Sequence, residues 1–208
     1  MKKNKYTSHG LMTSTAVVLF HIALFAQPVL PEAKMVNATV THSGDLEIVA
    51  SKGSSQHDFD FLSGKWRMDN QRLKARLKNS KEWESFESFD ENYGPILQGI
   101  GNMDIYKGTY GGKSMEGLTL RLFNPKTRLW SLYWVSSTTG ILDPPVVGSF
   151  EGNIGRFYCK DTYEGIPILV MFNWDKTDKN NPVWSQAFST DNGKTWEWNW
   201  TNVSHRIE

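Results

Sequence analysis

The sequence contains one cysteine, Cys159, among its 208 residues. A single thiol cannot form a disulfide within the chain, so packing of a core must stabilise the fold. The part of the chain that follows the N-terminal segment, roughly 150 residues, can bury enough surface to do this. The cysteine count therefore excludes the small, disulfide-rich class of exported domains.

The sequence also has little net charge, with a formal value of +1 at pH 7. Residues 1–26 hold three lysines and no acidic residue, so the remainder carries −2. A near-neutral chain offers no basic surface to neutralise phosphates. We therefore predict no nucleic-acid partner.

The longest apolar run is short. It spans 11–26, is interrupted at Thr13, Ser14, Thr15 and His21, and follows a basic start. A membrane-spanning helix needs about 20 apolar residues. A basic start, a short apolar run and a small residue before Gln27 instead predict a signal peptide over 1–26. We expect export to the periplasm or beyond, without stable membrane insertion once the signal is removed. An uncleaved N-terminal anchor is the alternative.

Residues 27–56 have no sustained hydrophobic period and are rich in Ser, Thr, Gly and Asn. This composition predicts a flexible linker. The run 46–49 is compatible with a short strand.

A helical pattern of useful length is missing from 57–208, and turn residues recur about every 10 to 15 positions. Such spacing predicts an all-β domain, an antiparallel up-and-down β-barrel of about ten strands that leaves no exposed sheet edge. Strands are expected over 66–77, 82–93, 99–110, 115–123, 128–136, 146–150, 155–163, 166–174, 183–189 and 195–207.

The segment 65–78 is the one place where a helix competes with a strand. Leu73 and Leu77 lie four residues apart, and helix-forming residue types are common here. Basic residues at even positions from 72 to 78, however, alternate with apolar residues at odd positions. Strict alternation favours the strand.

The residues 189–196 read S-T-D-N-G-K-T-W, which matches the Asp-box pattern of sialidase propellers. Asp191 can accept hydrogen bonds from turn amides, and Gly193 can adopt a positive φ. One copy in a domain too small for a propeller predicts a structural hairpin turn. It does not predict glycosidase activity.

The final strand carries Trp196, Trp198 and Trp200 at alternate positions, with Glu197 and Asn199 between them. Strand alternation predicts that the three tryptophans share one face. That face forms either the packed core or the aromatic wall of a ligand cavity. Neighbouring strands are apolar at both parities, so the sequence leaves open which face is interior.

Arg121 lies between two leucines in a strongly apolar strand. The expected position is a wet face, with the side-chain stem packed on its neighbours. If Arg121 is buried, it needs a carboxylate partner or an anionic ligand. The candidate ligand-binding residues are Arg121, Tyr133, Trp134, Tyr158, Gln186, Glu197 and Asn199.

Catalytic signatures are scarce. After residue 26 the histidines are His42, His57 and His205, and no pair has metal-ligand spacing. A phosphate-binding glycine loop and a Ser-His-Asp or Cys-His pattern are also missing. We predict no catalytic residue and no metal site. An isomerase or hydrolase using Glu197, Tyr133 and Tyr158 is the alternative, and a structural or adhesive barrel with a filled interior is a third.

The motif Gly64-Lys65-Trp66 at the start of a barrel resembles the G-x-W element of lipocalins and related calycin barrels. The resemblance implies that Arg206, late in the last strand, packs over Trp66 and helps to close the barrel. The stretches 58–66, 119–125 and 130–134 more closely resemble a bacterial lipocalin-like family of unknown function. That resemblance covers about 57–208 and implies a fold, with no established activity and no catalytic residues.

The G-x-W start is also similar to that of nitrobindin-like haem barrels, which would imply His205 as the haem ligand. The pattern departs after Trp66, because that family continues G-x-W-x-G-x-G whereas residues 67–70 here read R-M-D-N. We therefore predict no cofactor, with haem as the minor alternative. The leading expectation is an exported barrel that binds a small apolar or aromatic ligand in its interior.

Overall fold

The structure is a computed structural model and describes residues 30–207. The signal peptide predicted over 1–26 lies outside the described residues. In the part described, no helix is long and apolar enough to serve as a membrane span.

Ten antiparallel strands close into a barrel, as predicted. Each strand pairs with its neighbour in the chain, and the last strand pairs with the first, which leaves no open edge. Two short strands, β1 (Ala38–Val40) and β2 (Leu46–Ile48), precede the barrel strands β3 (Gly64–Leu73), β4 (Trp83–Ile96), β5 (Gly101–Tyr110), β6 (Lys113–Asn124), β7 (Leu129–Ser136), β8 (Val146–Glu151), β9 (Ile154–Tyr163), β10 (Ile166–Asp175), β11 (Val183–Ser189) and β12 (Glu197–Arg206).

The segment that could have been a helix forms strand β3, but this strand ends at Leu73. The prediction of a strand as far as Leu77 is wrong for the last four residues. Leu77 has a φ of 56°, and its side chain packs against the core. Residues 74–82 therefore form a loop across one end of the barrel, which we call the mouth.

Residues 31–48 lie against the outer face of the barrel. β1 and β2 form an antiparallel hairpin, so the short strand expected within 46–49 is present. The backbone N–H of Val36 donates to the hydroxyl of Tyr158 at 2.8 Å, and the indole N–H of Trp198 donates to the carbonyl of Pro31 at 3.1 Å. The sequence, which suggested a linker here, did not reveal these contacts.

The end of the barrel opposite the mouth is closed by aromatic side chains and a 3-10 helix, Asp60–Leu62. Phe59 is 1% exposed, and its ring packs edge-on to Trp130 and Phe150 at centroid distances of 5.0 Å. These contacts fill the closed end. Any open interior space must lie nearer the mouth.

Arg206 holds this closed end in place, as the lipocalin resemblance implied. Its guanidinium carbon lies 4.1 Å from the ring centroid of Trp66. The two terminal nitrogens donate to the carbonyls of Ser63 and Phe61 at 2.7 and 2.6 Å. One side chain therefore joins the last strand, the first strand and the 3-10 helix.

The interior has two unlike walls, because most inward-facing residues are polar on β3–β6 and apolar on β7–β12. The register places the polar residues beside one another across neighbouring strands. The polar wall includes Asn70, Ser88, Asp90, Asn102, Asp104, Tyr106, Thr119 and Arg121, and the aromatic wall includes Leu132, Trp134, Val146, Val170, Phe172, Trp174, Trp184, Phe188 and Trp200.

A β-bulge in β12 changes which tryptophans face inward. Gln186 pairs with Trp200, while the next residue, Ala187, pairs with Trp198, so Asn199 is an extra residue. A bulge shifts the alternation by one position. Trp200 lines the interior, whereas Trp196 and Trp198 pack under residues 31–48. The prediction that all three tryptophans share a face is wrong.

The turn at 189–196 has the hydrogen bonds that its sequence predicts. Asp191 Oδ2 accepts from the hydroxyl of Thr195 at 2.6 Å, and Oδ1 accepts from the Thr195 backbone N–H at 2.9 Å. These bonds, with a further one from the Ser189 hydroxyl, lower the pKa of Asp191 to about 2. The motif acts as a structural turn.

We expect Asp191→Asn to destabilise the protein at neutral pH and to lose this effect in acid. Because the folded-state pKa of Asp191 lies below its ordinary value of 3.8, its stabilisation is full above that pH and disappears as the pH falls towards about 2. Urea unfolding at several pH values would measure this. A difference from wild type that stays constant with pH would contradict it.

We expect Arg206→Met to lower the free energy of unfolding by about 2 kcal/mol, because two hydrogen bonds from a charged group are lost. Urea denaturation would measure the change. The control is Arg67→Met, since Arg67 lies on the strand paired with that of Arg206 and its ion pairs with Asp69 and Glu87, near the surface, stabilise weakly. Equal losses in the two variants would show that Arg206 has no special role in closure.

Candidate ligand-binding cavity

The barrel encloses a cavity of about 340 Å³ between the polar wall, the aromatic wall and the mouth. Cavities for small molecules start at roughly 300 Å³. The space is therefore large enough for one small ligand. It lies above the aromatic side chains that close the other end.

Arg121 is buried and belongs to the polar wall. Its Nη1 lies 2.5 Å from Asp104 Oδ2 and donates to Asn102 Oδ1 at 3.0 Å. The expected wet-face position is wrong, and the alternative, burial with a carboxylate partner, is observed. Its Nε has no hydrogen-bond partner among the described residues.

Asp90 faces the same cavity and is hydrogen-bonded to Asp104. Burial, together with the negative charge of Asp104, raises the pKa of Asp90 well above its ordinary value. The shift favours the protonated form of Asp90, which can donate a hydrogen bond to the Asp104 carboxylate. In that form, with Arg121 paired to Asp104, the three side chains carry no net charge.

The aromatic wall is a set of rings packed edge to face. Trp184 lies 5.0 Å from Phe172 and 5.6 Å from Trp200 between ring centroids. Trp134 lies over Gly117, where an added Cβ would come within 1.9 Å of the indole. Glycine at that position is therefore needed for Trp134 to lie flat inside the barrel.

The wall also includes an unused donor. The indole N–H of Trp174, which lines the cavity, has no hydrogen-bond partner within residues 30–207. Buried indole N–H groups usually find a partner. A polar atom of a ligand could supply it.

Arg76, on the loop across the mouth, extends over the cavity. Its guanidinium carbon lies 5.8 Å from the ring of Tyr163, 5.6 Å from Phe188 and 5.7 Å from Trp200. Burial, followed by the charge of Arg72, lowers the pKa of Arg76 to about 10. Arg76 therefore remains positively charged at neutral pH.

Another side of the mouth is acidic. Asp143 and Asp161 line the cavity there, and burial and then the charge of Asp161 raise the pKa of Asp143. Burial and these two carboxylates raise the pKa of Cys159 to about 12. The thiol is therefore protonated and a poor nucleophile.

Four of the seven predicted ligand-binding residues line the cavity: Arg121, Tyr133, Trp134 and Gln186. Strand alternation places the side chain of Tyr133 on the face opposite Leu132 and Trp134, so Tyr133 borders the cavity through its main chain.

The other three predicted residues have different positions. Tyr158 points outward and binds the backbone of Val36. Asn199 supports the lining, because its Oδ1 accepts from Gln186 Nε2 at 2.8 Å. Glu197 fixes the mouth loop, because its Oε1 accepts from the Leu77 backbone N–H at 2.8 Å. The structure does not bring Glu197, Tyr133 and Tyr158 together.

Three residues of the cavity were not predicted from the sequence: Asp90, Asp104 and Arg76. The first two could have been noticed, since 88, 90 and 92 on one strand and 102, 104 and 106 on the next are polar or tyrosine at a single parity. Arg76 could not have been found, because a strand was expected where the chain forms a loop.

His205 does not face the cavity. Its Nε2 lies 3.0 Å from Asp69 Oδ2, and its Nδ1 lies 2.8 Å from Asn181 Oδ1. With both ring nitrogens engaged, His205 does not fit as a ligand to haem inside the barrel. The described residues also contain no group of three potential metal ligands.

No family model and no curated protein matches the chain. Among solved structures, the chain is similar to the S-type phycobiliprotein lyase CPES from Guillardia theta, with a TM-score of 0.51 and 10% identity. The likeness covers 76% of this chain and 94% of the lyase. It shows a lipocalin-like, calycin-type barrel, while the narrower resemblance to a bacterial family stays a prediction.

We expect Asp104→Asn to lower the free energy of unfolding by about 3–5 kcal/mol at pH 7, because Arg121 loses its buried partner. Asp90→Asn should cost far less, since burial favours the uncharged form of Asp90, which the amide of asparagine resembles. The pKa of Asp90 is raised on folding, so wild-type stability falls as the pH rises above the ordinary 3.8, and the Asn variant gains relative to it.

Chemical denaturation of both variants between pH 4 and 7 would measure this pair of effects. If the two variants lose equal amounts of unfolding free energy at pH 7, Asp90 is ionised in the folded state, which would contradict the prediction.

Proposed function

We propose that this protein binds a small, largely aromatic molecule inside its barrel. The strongest support is the cavity of about 340 Å³, which has aromatic rings on one side and unpartnered donors at Arg121 Nε and Trp174 Nε1. A side-chain-filled barrel would need neither the space nor the free donors.

The two walls suit two parts of such a ligand. Contact with the aromatic wall removes apolar surface from water, which stabilises the complex by about 25 cal/mol per Å². The polar wall offers a neutral carboxyl at Asp90, a neutral ion pair and free N–H groups, which can orient oxygen or nitrogen atoms. The result is a ligand with one flat apolar face and a polar edge.

The structural neighbour supports only the barrel fold. Its name describes a phycobiliprotein lyase, and at 10% identity the likeness shows the fold. The proposal for this chain depends on its own cavity. Export through residues 1–26 is part of the same proposal and derives from the sequence alone.

A second candidate function is catalysis, which one observation favours. Asp90 lines the cavity beside Asp104, Arg121 and Tyr106, and burial raises its pKa. Acids with raised pKa values facing a cavity are typical of proton-transfer enzymes. An isomerase or hydrolase would use Asp90 in place of Glu197, Tyr133 and Tyr158. Asp90→Asn would then preserve binding and abolish turnover, a separation that simple binding does not predict.

Titration with aromatic compounds, followed by tryptophan fluorescence, tests interior binding. We expect at least one class of aromatic compound to quench or enhance the fluorescence, because five tryptophans lie in the barrel interior. They are the cavity-lining Trp134, Trp174, Trp184 and Trp200, together with Trp130 beneath them. Val146→Phe should weaken binding at least about tenfold, because Val146 lines the cavity and the larger ring fills it.

Val147→Phe is the matched control. Val147 is the next residue on β8 and points to the outer face, where it pairs with Tyr158. Failure of every aromatic class to bind, or equal binding by the Val146→Phe and wild-type proteins, would overturn the proposal.

A further inference from the structure

We infer that the ligand carries a carboxylate, or an equivalent planar anion, that binds Arg76 at the mouth of the cavity. This inference rests on the proposed interior binding and adds the chemical class of the ligand. It is supported by the surroundings of one buried arginine.

Arg76 is 8% exposed, so its guanidinium has lost most of its contact with water. In residues 30–207 no carboxylate forms an ion pair with it, and its Nη2 has no hydrogen-bond partner. A buried charge without a partner is costly. Such a group therefore favours the binding of an anion.

Other cations in the barrel provide an internal comparison. The Nη1 of Arg121 lies 2.5 Å from Asp104 Oδ2. The Nζ of Lys176, beside the aromatic residues of the closed end, lies 3.6 Å from Asp58 Oδ1. Arg76 differs from both, since it lines the cavity and lacks such a carboxylate. In both of these cases the chain supplies the acid. At Arg76 the place that such a carboxylate would occupy faces the cavity.

A second cation increases the positive potential at this point. Arg72 lies close enough for its charge to lower the pKa of Arg76, and its guanidinium carbon lies 4.1 Å from the ring of Tyr110. Glu197 is the carboxylate whose charge opposes this effect at Arg76, but its Oε1 is engaged by the backbone of Leu77. An anion at Arg76 would relieve the repulsion between the two arginines.

The acidic side of the mouth limits where the anion can bind. Asp143 and Asp161 line the cavity from the β7–β8 loop and β9. A ligand carboxylate would be repelled there. The charge distribution therefore directs the carboxylate towards the β3–β4 loop that carries Arg76.

The aromatic rings around Arg76 indicate what is attached to the anion. Tyr163, Phe188 and Trp200 lie within 5.8 Å of its guanidinium carbon and continue into the aromatic wall. If a ligand carboxylate binds Arg76, a flat group bonded directly to that carboxylate lies against these rings. The geometry suits a small aromatic carboxylic acid with its acid group at the mouth and its ring inside.

The matched probes are naphthoate and cinnamate, each compared with its neutral primary amide, using calorimetry at pH 7. We expect the acids to bind wild-type protein at least about tenfold more tightly than the amides, because the amide leaves Arg76 without a charged partner. Arg76→Gln should remove this preference. Arg76→Lys should retain part of it, since the charge remains and the bidentate geometry is lost.

Lys74→Gln is the control, because Lys74 is an exposed cation on the same loop, paired with Glu82 at 3.1 Å. It should leave the preference unchanged. If Arg76→Gln fails to fold, the ratio of acid to amide affinity in wild-type protein still decides the matter.

The possible outcomes separate the two proposals. Equal binding of acid and amide, or a preference that survives in Arg76→Gln, overturns the carboxylate inference and leaves interior binding intact. The same conclusion follows if only neutral aromatic compounds bind. If no aromatic compound binds, both proposals fall.

Discussion

The pairing of the last strand with the first is the interaction on which the rest of the barrel depends. This register sets Arg206 opposite Trp66 at one end and Trp200 opposite Arg72 at the other. The first pair closes one end over a packed aromatic core. The second joins a cation and an aromatic ring at the mouth. A shift of one residue would turn both pairs to the wrong face.

Closure at one end also determines where a ligand can lie. Phe59 and its neighbours fill the closed end, and the loop over 74–82 covers the other end with charged as well as apolar groups. The open volume between them has a polar side and an aromatic side. An interior of this kind fixes the orientation of a bound ligand, because only the polar side of a flat ligand can form hydrogen bonds with the polar wall.

The charges inside the barrel follow a consistent pattern with one exception. Asp90 is hydrogen-bonded to Asp104, and Asp104 forms an ion pair with Arg121. Arg76 alone, among the cations that line the cavity, lacks such a partner in the described residues. The two proposed functions therefore depend on different parts of one cavity: proton transfer on the acid pair of the polar wall, and ligand binding on the cation at the mouth.

Much of the fold could be predicted from local patterns. Turn residues at regular spacing, the motif at Gly64–Trp66 and the late Arg206 were enough to predict a ten-stranded barrel and its closure. The turn at 189–196 was also predictable, because its hydrogen bonds join residues at most four positions apart. In these cases the interacting groups are close in sequence or follow a strict period.

The site was only partly predictable, because strand alternation identifies two faces without saying which is interior. The bulge at Asn199 reversed the alternation within one strand, so Trp200 faces inward and Trp198 outward. Tyr158 was assigned to the site, yet it lies beneath residues 31–48, whose docking no local pattern indicated.

The sequence by itself determined an all-β barrel, because period and turn chemistry are local properties, and its resemblance to lipocalins implied that Trp66 and Arg206 close one end. Only the tertiary structure decided that Asp104 pairs with Arg121, that Asp90 is hydrogen-bonded to Asp104, and that Arg76 forms no ion pair with a carboxylate of the described residues. Those relations depend on strand register and on the path of one loop, which bring distant residues within a few ångströms of one another.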